Sequence, residues 1–486
     1  MNARSAIQPS NTPAVLSISI SASRKRLVTG LSDGFRIFRM DNCLTTCQPK
    51  VSEGVSIATA LDDRFSAYVS THRQHDLGGP NVVVFYDSVF DKELSRFDLH
   101  EPILGLRLTT KWMAVVLAER TVLFQYQEIP STSPSTGDVV LRAPNIIHSL
   151  HPTTSNPFAL ACLSNNLLVL PAQTAGQLQL ISLKADNTTT KRIIRAHNST
   201  LRCISLSQDG SLVATASEVG TLIRIFGTKS VDQVAEFRRG MDHAIVFNLA
   251  FSPGNRWVAA TSDKGTLHLF DLRPTTPASS TVTKVESKHR KTPSYTYNTA
   301  GPGGRVGNPD RESSMSVQSS NMGRSSPSHG SVQEYYGLRP PPLSAVPPVH
   351  SSTFASSFKS SSFAPKIFKD SRSAASAPFY MGDEQANWQT GGPAYSWTTA
   401  PNGTRKRIAN PVMGLPNEPS GRAVKGIMTF APLDGKTEVE ESAVVYVIGG
   451  GADARWEKFE MRRDAGGEWR LVNLGFRRFL TRQFAD

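Results

Sequence analysis

The stretch that decides the fold is Leu212-Val-Ala-Thr-Ala-Ser-Glu-Val-Gly-Thr-Leu-Ile-Arg-Ile-Phe226. It contains an apolar run, a short polar turn with a glycine, and a second apolar run that ends on an aromatic residue. Two other stretches have the same layout, Arg26-Leu-Val-Thr-Gly-Leu-Ser-Asp-Gly-Phe-Arg-Ile-Phe38 and Trp257-Val-Ala-Ala-Thr-Ser-Asp-Lys-Gly-Thr-Leu-His-Leu-Phe270. The glycine supplies the positive φ that a hairpin turn needs. Each stretch is therefore predicted to be a pair of antiparallel β-strands.

The spacing of these stretches predicts the architecture. Those that begin at Leu212 and Trp257 are about 45 residues apart, which is the period of a four-stranded propeller blade. Counting outward gives seven blades, near 14–40, 55–99, 103 onward, 157–196, 201–239, 244 onward and 424–474. The prediction is an all-β protein, a seven-bladed β-propeller of WD40-like architecture, although the sequence contains no Trp-Asp dipeptide.

A segment of different composition interrupts the blades. From about residue 274 to 421 the chain is dense in Ser, Pro, Gly and Thr and poor in aliphatic residues, so it cannot bury enough apolar surface to offset chain entropy. Only three strands of blade six precede it. We therefore predict a long disordered insertion in blade six, whose fourth strand would lie between Tyr395 and Met413. The predicted organisation is a tail at 1–13, blades at 14–273, a membrane-contacting loop at 274–394, the rest of blade six and blade seven at 395–480, and a tail at 481–486.

Composition limits the class of partner. The 486 residues carry a formal net charge of +13, from 53 Lys and Arg against 40 Asp and Glu, and this balance favours nucleic acid or an anionic membrane surface. Four scattered cysteines suit neither a disulfide framework nor a structural zinc site, so we expect no metal and a cytoplasmic location. No apolar run approaches the roughly 18 residues that span a bilayer, and membrane contact would be peripheral.

The sequence offers little support for an enzyme. It contains no nucleophile elbow, no zinc-binding helix motif and no phosphate-binding loop motif. We therefore expect neither catalysis nor a cofactor, and the expected activity is binding.

Two adjacent arginines point to anion binding. They stand in Phe237-Arg238-Arg239-Gly240, between one predicted blade and the next. Because side chains alternate along a strand, Arg238 and Arg239 should point to opposite faces. The planar guanidinium group binds phosphate through paired, charge-assisted hydrogen bonds. One short segment can therefore serve two anion sites, one on each side of an outer strand.

The motifs around this segment resemble the core of the PROPPIN (WIPI-type) family. Their order and spacing match over two adjacent blades. They are Ala196-His197, Ala214-Thr-Ala-Ser217, Gly220-Thr-Leu-Ile-Arg224, Phe237-Arg-Arg-Gly240 and Ser262-Asp-Lys-Gly-Thr-Leu-His268. The early segments Gly34-Phe-Arg-Ile-Phe38 and Pro80-Asn-Val-Val-Val-Phe-Tyr-Asp87 extend the resemblance. They are more similar to the shorter branch of the family, related to WIPI types three and four.

The resemblance implies a peripheral membrane adaptor. Such a protein would bind phosphatidylinositol 3-phosphate and phosphatidylinositol 3,5-bisphosphate and would recruit autophagy machinery to vacuole, endosome and preautophagosomal membranes. The implied tasks are autophagosome formation, selective or nuclear autophagy, and trafficking to the vacuole and endosome. A monomer in solution is implied, with a large autophagic lipid-transfer protein as its protein partner, docked around Pro80 to Asp87.

The resemblance also implies two lipid sites. The residues of the first are His197, Thr215, Ser217, Thr221, Arg224 and Arg238. Those of the second are Arg239, His243, Ser262, Lys264, Thr266 and His268. Hydroxyls and imidazoles can donate hydrogen bonds to phosphate, and Arg and Lys add charge. Thr215 and Ser217 are two residues apart and share a face, whereas Arg224 differs in parity from Thr221.

A third membrane contact is implied in the insertion. Four phenylalanines, Phe354, Phe358, Phe363 and Phe368, alternate there with lysines and an arginine. Aromatic residues with basic neighbours suit the headgroup boundary of an anionic bilayer, and in PROPPINs the loop at this place inserts into the membrane. Pro365 would restrict any helix to short turns. A plain linker with incidental phenylalanines is the alternative interpretation.

Two other functions are compatible with the sequence. One is a propeller scaffold for protein interactions without lipid affinity. The other is a basic nucleic-acid-binding propeller, whose affinity would fall steeply with salt. The insertion carries no recognisable RNA-binding signature, so nucleic acid is not the expected partner.

Overall fold

The structure is a computed structural model of the chain. It describes residues 13–51, 53–71, 79–129, 140–183, 190–273, 372–382, 395–399, 404–409, 424–432, 443–451 and 453–480. These residues form β-strands joined by turns. Within the described ranges, no helix is both long enough and apolar enough to pass through a bilayer.

The first four blades are four-stranded antiparallel sheets whose strands follow chain order. Blade one contains β1 (Val15–Ile20), β2 (Arg26–Leu31), β3 (Gly34–Arg39) and β4 (Thr45–Cys47). Blade two contains β5 (Val55–Ala60), β6 (Phe65–Ser70), β7 (Val82–Asp87) and β8 (Lys92–Asp98). Blade three contains β9 (Gly105–Leu108), β10 (Trp112–Val116), β11 (Arg120–Ile129) and β12 (Val140–Pro152). Blade four contains β13 (Cys162–Leu163), β14 (Leu167–Pro171), β15 (Gln177–Ser182) and β16 (Thr190–Arg195).

The last three blades complete the ring. Blade five contains β17 (Leu201–Leu206), β18 (Leu212–Ser217), β19 (Leu222–Gly227) and β20 (Gln233–Arg238). Blade six contains β21 (Val246–Phe251), β22 (Trp257–Ser262), β23 (Thr266–Asp271) and β24 (Ala375–Pro378). A separate hairpin pairs β25 (Tyr395–Thr399) with β26 (Arg405–Ala409). Blade seven contains β27 (Ile427–Phe430), β28 (Ala443–Gly449), β29 (Arg455–Arg463) and β30 (Trp469–Arg478). The predicted seven-bladed all-β propeller is confirmed.

The predicted position of the fourth strand of blade six is wrong. That strand is β24, which pairs with β23 so that His268 lies opposite Ser376. The segment Tyr395 to Met413 instead supplies the hairpin of β25 and β26. The sequence Ala-Ser-Ala-Pro has little β-propensity, but an edge strand tolerates proline and small side chains. The connection between β23 and β24 therefore spans residues 272–374, and part of the predicted loop belongs to the blade.

Side chains of one blade pack against both neighbouring blades. In blade five, Phe237 belongs to an apolar cluster shared with blade six, and its ring centroid lies 5.0 Å from that of Phe270. Val213 and Phe226 belong instead to a cluster shared with blade four. This division follows from the alternation of side chains along each strand. Each junction between blades is therefore an apolar layer between two sheets. This layer determines which side chains of a strand face each neighbouring blade.

The ring closes by packing between complete sheets. Blade seven is built from its own four strands, and no described strand of blade one joins it. The junction contains the rings of Phe38 and Phe479, whose centroids are 5.5 Å apart. The indole nitrogen of Trp456 donates a hydrogen bond to the carbonyl oxygen of Met40 over 3.0 Å. The guanidinium of Arg24 also reaches from blade one to the carbonyl of Phe251 in blade six, at 2.8 Å.

Closure of the ring can be tested at Trp456. The change Trp456→Phe removes the indole donor and leaves a buried carbonyl unsatisfied, which should lower the free energy of unfolding by about 1–3 kcal/mol. Trp112→Phe is a matched comparison, because that indole donates to Asn165 across the junction of blades three and four. Urea denaturation would measure both. A lower midpoint for Trp112→Phe alone would show that Trp456 does not hold the closing junction.

Candidate functional site

The two adjacent arginines face different blades. Arg238 ends β20 and lies opposite Leu222, and the next cross-strand row on that face is Thr215, Arg224 and Glu236. Residues directly opposite each other share a face, so Arg238 lies on the side of blade five that packs against blade four. Arg239 is only 9% exposed and comes next in the chain, so it faces blade six.

The first cluster lies at the junction of blades four and five. His197 Nε2 lies 2.9 Å from the hydroxyl of Thr215, and that hydroxyl donates to the carbonyl of Arg224 over 3.2 Å. Arg224 in turn donates through Nε to Glu236 at 2.7 Å and through Nη1 to the carbonyl of Ala196 at 2.6 Å. The structure thus brings His197, Thr215 and Arg224 together. Arg224 braces the segment that carries His197.

The remaining residues of the first set lie around this network. Ser217 is buried, two residues beyond Thr215 on the same face. Thr221 is half-buried just before β19, and its carbonyl oxygen accepts a hydrogen bond from the main chain of Arg239 at 2.9 Å. Arg238 is half-buried at the end of the same sheet. All six predicted residues lie in blade five or in the segment that enters it.

The second cluster lies at the junction of blades five and six. The Thr266 hydroxyl is 3.0 Å from His268 Nε2, and His268 Nδ1 is 3.3 Å from the hydroxyl of Ser373. Ser262 is fully buried, and its hydroxyl has no hydrogen-bond partner among the described residues. Lys264 and His243 are exposed on the adjoining turns. The predicted residues of the second set therefore surround one junction.

Arg239 joins two turns of the second cluster. Its Nε donates to the carbonyl of Gly220 and its Nη2 donates to the carbonyl of Asp242, each over 2.8 Å. Burial lowers the pKa of Arg239, and the carboxylates of Asp263 and Asp242 oppose this shift. Two donors of the guanidinium group are thus occupied by main-chain carbonyls. Three of its five N–H groups, two of them on Nη1, make no hydrogen bond to the described residues.

Two histidines of the clusters are neutral at pH 7. Burial lowers the pKa of His197 to about 4, aided by the charge of Arg224. Burial likewise lowers the pKa of His268 to about 4, aided by the charge of Arg239. Each imidazole therefore carries a single N–H group in the free protein, and that of His197 donates to Thr215, whose hydroxyl already donates to the carbonyl of Arg224. A bound phosphate would favour the protonated form, because an opposite charge stabilises it.

Gly220 determines how the two turns fit together. It has a φ of +65°, and a Cβ at this position would lie 1.7 Å from the carbonyl oxygen of Ala244. Positive φ and close approach both require glycine. Gly240, in contrast, has no atom within 4 Å of an added Cβ. The glycine that the geometry requires is therefore Gly220 and not the glycine of the arginine motif.

Three contacts of the clusters were not predicted. Ser373 lies 105 positions after His268, and no local pattern connects the two. Asp242 accepts from Arg239 through its main chain, which side-chain chemistry does not reveal. Glu236 pairs with Arg224 across the hairpin of β19 and β20, and strand register could have indicated it. The four loop residues Phe354, Phe358, Phe363 and Phe368 lie outside the described residues.

The fold and the two clusters define a class of protein. It is a β-propeller scaffold that carries basic, imidazole and hydroxyl groups at two adjacent junctions of its rim. The family model of PROPPIN matches residues 14–287. The chain therefore belongs to the PROPPIN family, phosphoinositide-binding propellers with relatives in autophagy, and the predicted family is confirmed. The branch within the family stays a prediction.

Named relatives and solved structures agree with this membership. SVP1-like protein 2 of Neurospora crassa is 29% identical over 483 residues, which cover 96% of each chain. SVP1-like protein 2 of Emericella nidulans is 30% identical over 400 residues, 82% of this chain and 92% of the relative. Autophagy-related protein 18e of Arabidopsis thaliana is 30% identical over 275 residues, 54% of this chain and 66% of the relative. Kluyveromyces lactis Hsv2 has a TM-score of 0.53 at 14% identity, over 96% of this chain and all of that one, and it shows the same fold.

The two glycines allow a matched test. Gly220→Ala should lower the thermal unfolding midpoint and loosen the turns that Arg239 connects, because the added methyl group meets the Ala244 carbonyl. Gly240→Ala should leave the midpoint unchanged, because space is open there. Thermal denaturation and hydrogen exchange of residues 239–245 would measure the effect. Equal midpoints for the two variants would contradict the role given to Gly220.

The depressed histidine pKa values predict the pH dependence of stability. Between the ordinary pKa of 6.5 and about 4, the unfolded chain binds more protons than the folded protein at His197 and His268. Stability should therefore fall as the pH decreases from 6.5 toward 4. The slope of the unfolding free energy against pH reports the protons taken up on unfolding. In the variant His197→Asn, His268→Asn that uptake should be smaller by up to about two protons. Urea unfolding from pH 4.5 to 7 would measure it, with exposed His100→Asn as the control. An unchanged slope would show that these imidazoles are not buried in their neutral form.

Proposed function

We propose that the protein is a peripheral membrane adaptor that binds phosphatidylinositol 3-phosphate and phosphatidylinositol 3,5-bisphosphate through the two clusters. The observation that carries this proposal is that Arg238 and Arg239 face different junctions, each lined by imidazole and hydroxyl groups. Membership of the PROPPIN family supports a phosphoinositide as the ligand. The protein is proposed to act as a scaffold and not as an enzyme.

In the first cluster, Arg238 supplies the charge. Its guanidinium group can bind a phosphate through two hydrogen bonds, while His197 and Ser217 donate from the same face. The side chain of Arg224 is already bound to Glu236 and to a carbonyl. Its proposed role is therefore to hold His197 and Thr215 in place. The phosphate contact is assigned to Arg238.

In the second cluster, charge comes from Arg239 and Lys264. Arg239 is held by the carbonyls of Gly220 and Asp242 and can direct Nη1 to a phosphate. Lys264 and His243 are exposed and can move toward a headgroup. Thr266 and His268 already bond to each other, so a phosphate would exchange these neutral contacts for charge-assisted ones. Such an exchange favours an anion over a neutral sugar.

Two sites on one rigid ring would act together. Once one headgroup is bound, the second binding event is intramolecular, and weak single contacts combine into strong attachment. The phenylalanines of the insertion would add an apolar contact with the bilayer. The protein would then respond to the density of the lipid as well as to its identity. Attachment to vacuole, endosome and preautophagosomal membranes follows from this proposal.

The proposed protein partner remains a large autophagic lipid-transfer protein. All six residues of β7 are buried, so side chains within Pro80 to Asp87 offer little surface for docking. The turn that follows this strand is accessible, with Val89 and Phe90 exposed. A partner of blade two would therefore contact that turn. Recruitment of autophagy machinery through it completes the adaptor function.

Liposome flotation tests the lipid sites. The variant Arg238→Thr, Arg239→Thr should bind liposomes with phosphatidylinositol 3-phosphate about thirtyfold more weakly, because each basic residue near an anionic surface contributes roughly 1 kcal/mol. A matched control is Arg462→Thr, Arg463→Thr, since these arginines are also adjacent and lie exposed on β29. With liposomes that contain phosphatidylinositol 3,5-bisphosphate, the Arg238→Thr, Arg239→Thr variant should again bind more weakly than the wild type and the control.

The outcomes separate the candidate functions. Weaker binding of the first variant alone would support specific headgroup sites at the junctions of blade five. Equal losses in both variants would show that net charge is sufficient and that the clusters are not sites. Wild-type protein that does not float with either lipid would leave the protein-interaction scaffold as the better interpretation.

A further inference from the structure

We infer that a small apolar surface between the two clusters enters the membrane when the protein docks. It consists of Val219, Met241 and Ile245, and we call it the turn ridge. The inference rests on the proposed function, because it assumes that the rim of blade five meets a lipid surface. It assigns a membrane contact to the folded ring, apart from the insertion of blade six.

The turn ridge is exposed. Val219 is 37% exposed, Met241 is 65% exposed and Ile245 is 43% exposed. Val219 lies in the turn between β18 and β19, and the other two lie in the segment between β20 and β21. The three exposed side chains thus lie on two adjacent turns of the rim.

The two turns that carry the ridge are held firmly together. The main-chain N–H of Ala244 donates to the carbonyl of Val219 at 3.4 Å. The guanidinium group of Arg239 donates to the carbonyls of both Gly220 and Asp242 and so holds the two turns together. Ile245 is fixed to blade six, because its N–H donates to the carboxylate of Asp263 at 3.0 Å. Little main-chain freedom would be lost when the ridge binds, which limits the entropic cost of binding.

The position of the ridge favours a membrane as its partner. Ser217 of the first cluster lies two residues before Val219, and Ile245 is followed by Val246, which pairs with Ser262 of the second cluster. The ridge is thus flanked by both candidate headgroup sites. A surface that contacts two headgroups through their phosphates would place the ridge at the boundary of headgroups and acyl chains.

The size of the ridge agrees with this partner, and basic groups lie beside the acids on its turns. Three side chains are far fewer than the roughly 20–30 residues that one side of a stable protein interface uses, but a few apolar residues are enough for interfacial insertion. The exposed acids Glu218 and Asp242 lie on the same turns. The charge of Arg239 acts on Asp242, and Lys264 and His243 add basic groups beside them.

The test separates membrane insertion from headgroup binding. The ridge variant is Met241→Ser, Ile245→Ser, and the control is Leu44→Ser, Leu94→Ser, two exposed apolar residues of blades one and two. Each full-length protein is measured with liposomes containing phosphatidylinositol 3-phosphate and with the water-soluble headgroup inositol 1,3-bisphosphate. The ridge variant should bind liposomes about tenfold more weakly and bind the soluble headgroup as the wild type does. The control should be unchanged in both.

A second variant tests the ridge by gain of affinity. Met241→Trp should strengthen liposome binding, because tryptophan favours the membrane interface, and should leave the soluble headgroup affinity unchanged. Unchanged liposome binding of the ridge variant would overturn the inference, and so would equal losses for liposomes and the soluble headgroup. Wild-type protein that binds neither ligand would overturn the proposed function itself, and the ridge with it.

Discussion

The alternation of side chains along β20 is the constraint on which both clusters depend. Phe237 must face blade six, where it packs against Phe270. Arg238 must then face blade four, and Arg239 must return to the side of blade six. A shift of register by one residue would exchange the two sides, so that Phe237 would face blade four and Arg238 would face blade six. The apolar junctions of the propeller thus determine where the cationic groups lie.

The clusters are closed networks in the free protein. Thr215 is bound to His197, Thr266 is bound to His268, and Arg239 is bound to two main-chain carbonyls. Such networks hold the side chains in place before a ligand arrives, which reduces the entropy lost on binding. A ligand must also replace hydrogen bonds that already exist. A doubly charged phosphate can do so, because its bonds to cationic donors are stronger than those between neutral groups.

The parts of the structure that the sequence predicts are local. Hairpins, blade spacing and the opposite directions of Arg238 and Arg239 depend on residues close together in the chain. The parts that it does not predict depend on distant pairings. The strand β24 has a weak pattern because it lies at an edge, pairs with β23 through its main chain and buries only the small side chains of Ala375 and Ala377. Ser373 lies beside His268 only because the pairing of β24 with β23 brings these distant residues together. Closure at Trp456 likewise joins residues from opposite ends of the chain.

The long connection in blade six has a mechanical consequence. Residues 272–374 return to the ring through β24, an outer strand that is paired on one side by β23 alone. If that connection is anchored in a moving bilayer, the force enters the ring at both of its ends, at Asp271 of β23 and at Ala375 of β24. Because β24 is hydrogen-bonded to β23 alone, whereas β23 is also bonded to β22, the bonds of β24 would separate first, one after another. Tension could thereby uncover His268 while the rest of the propeller remains folded.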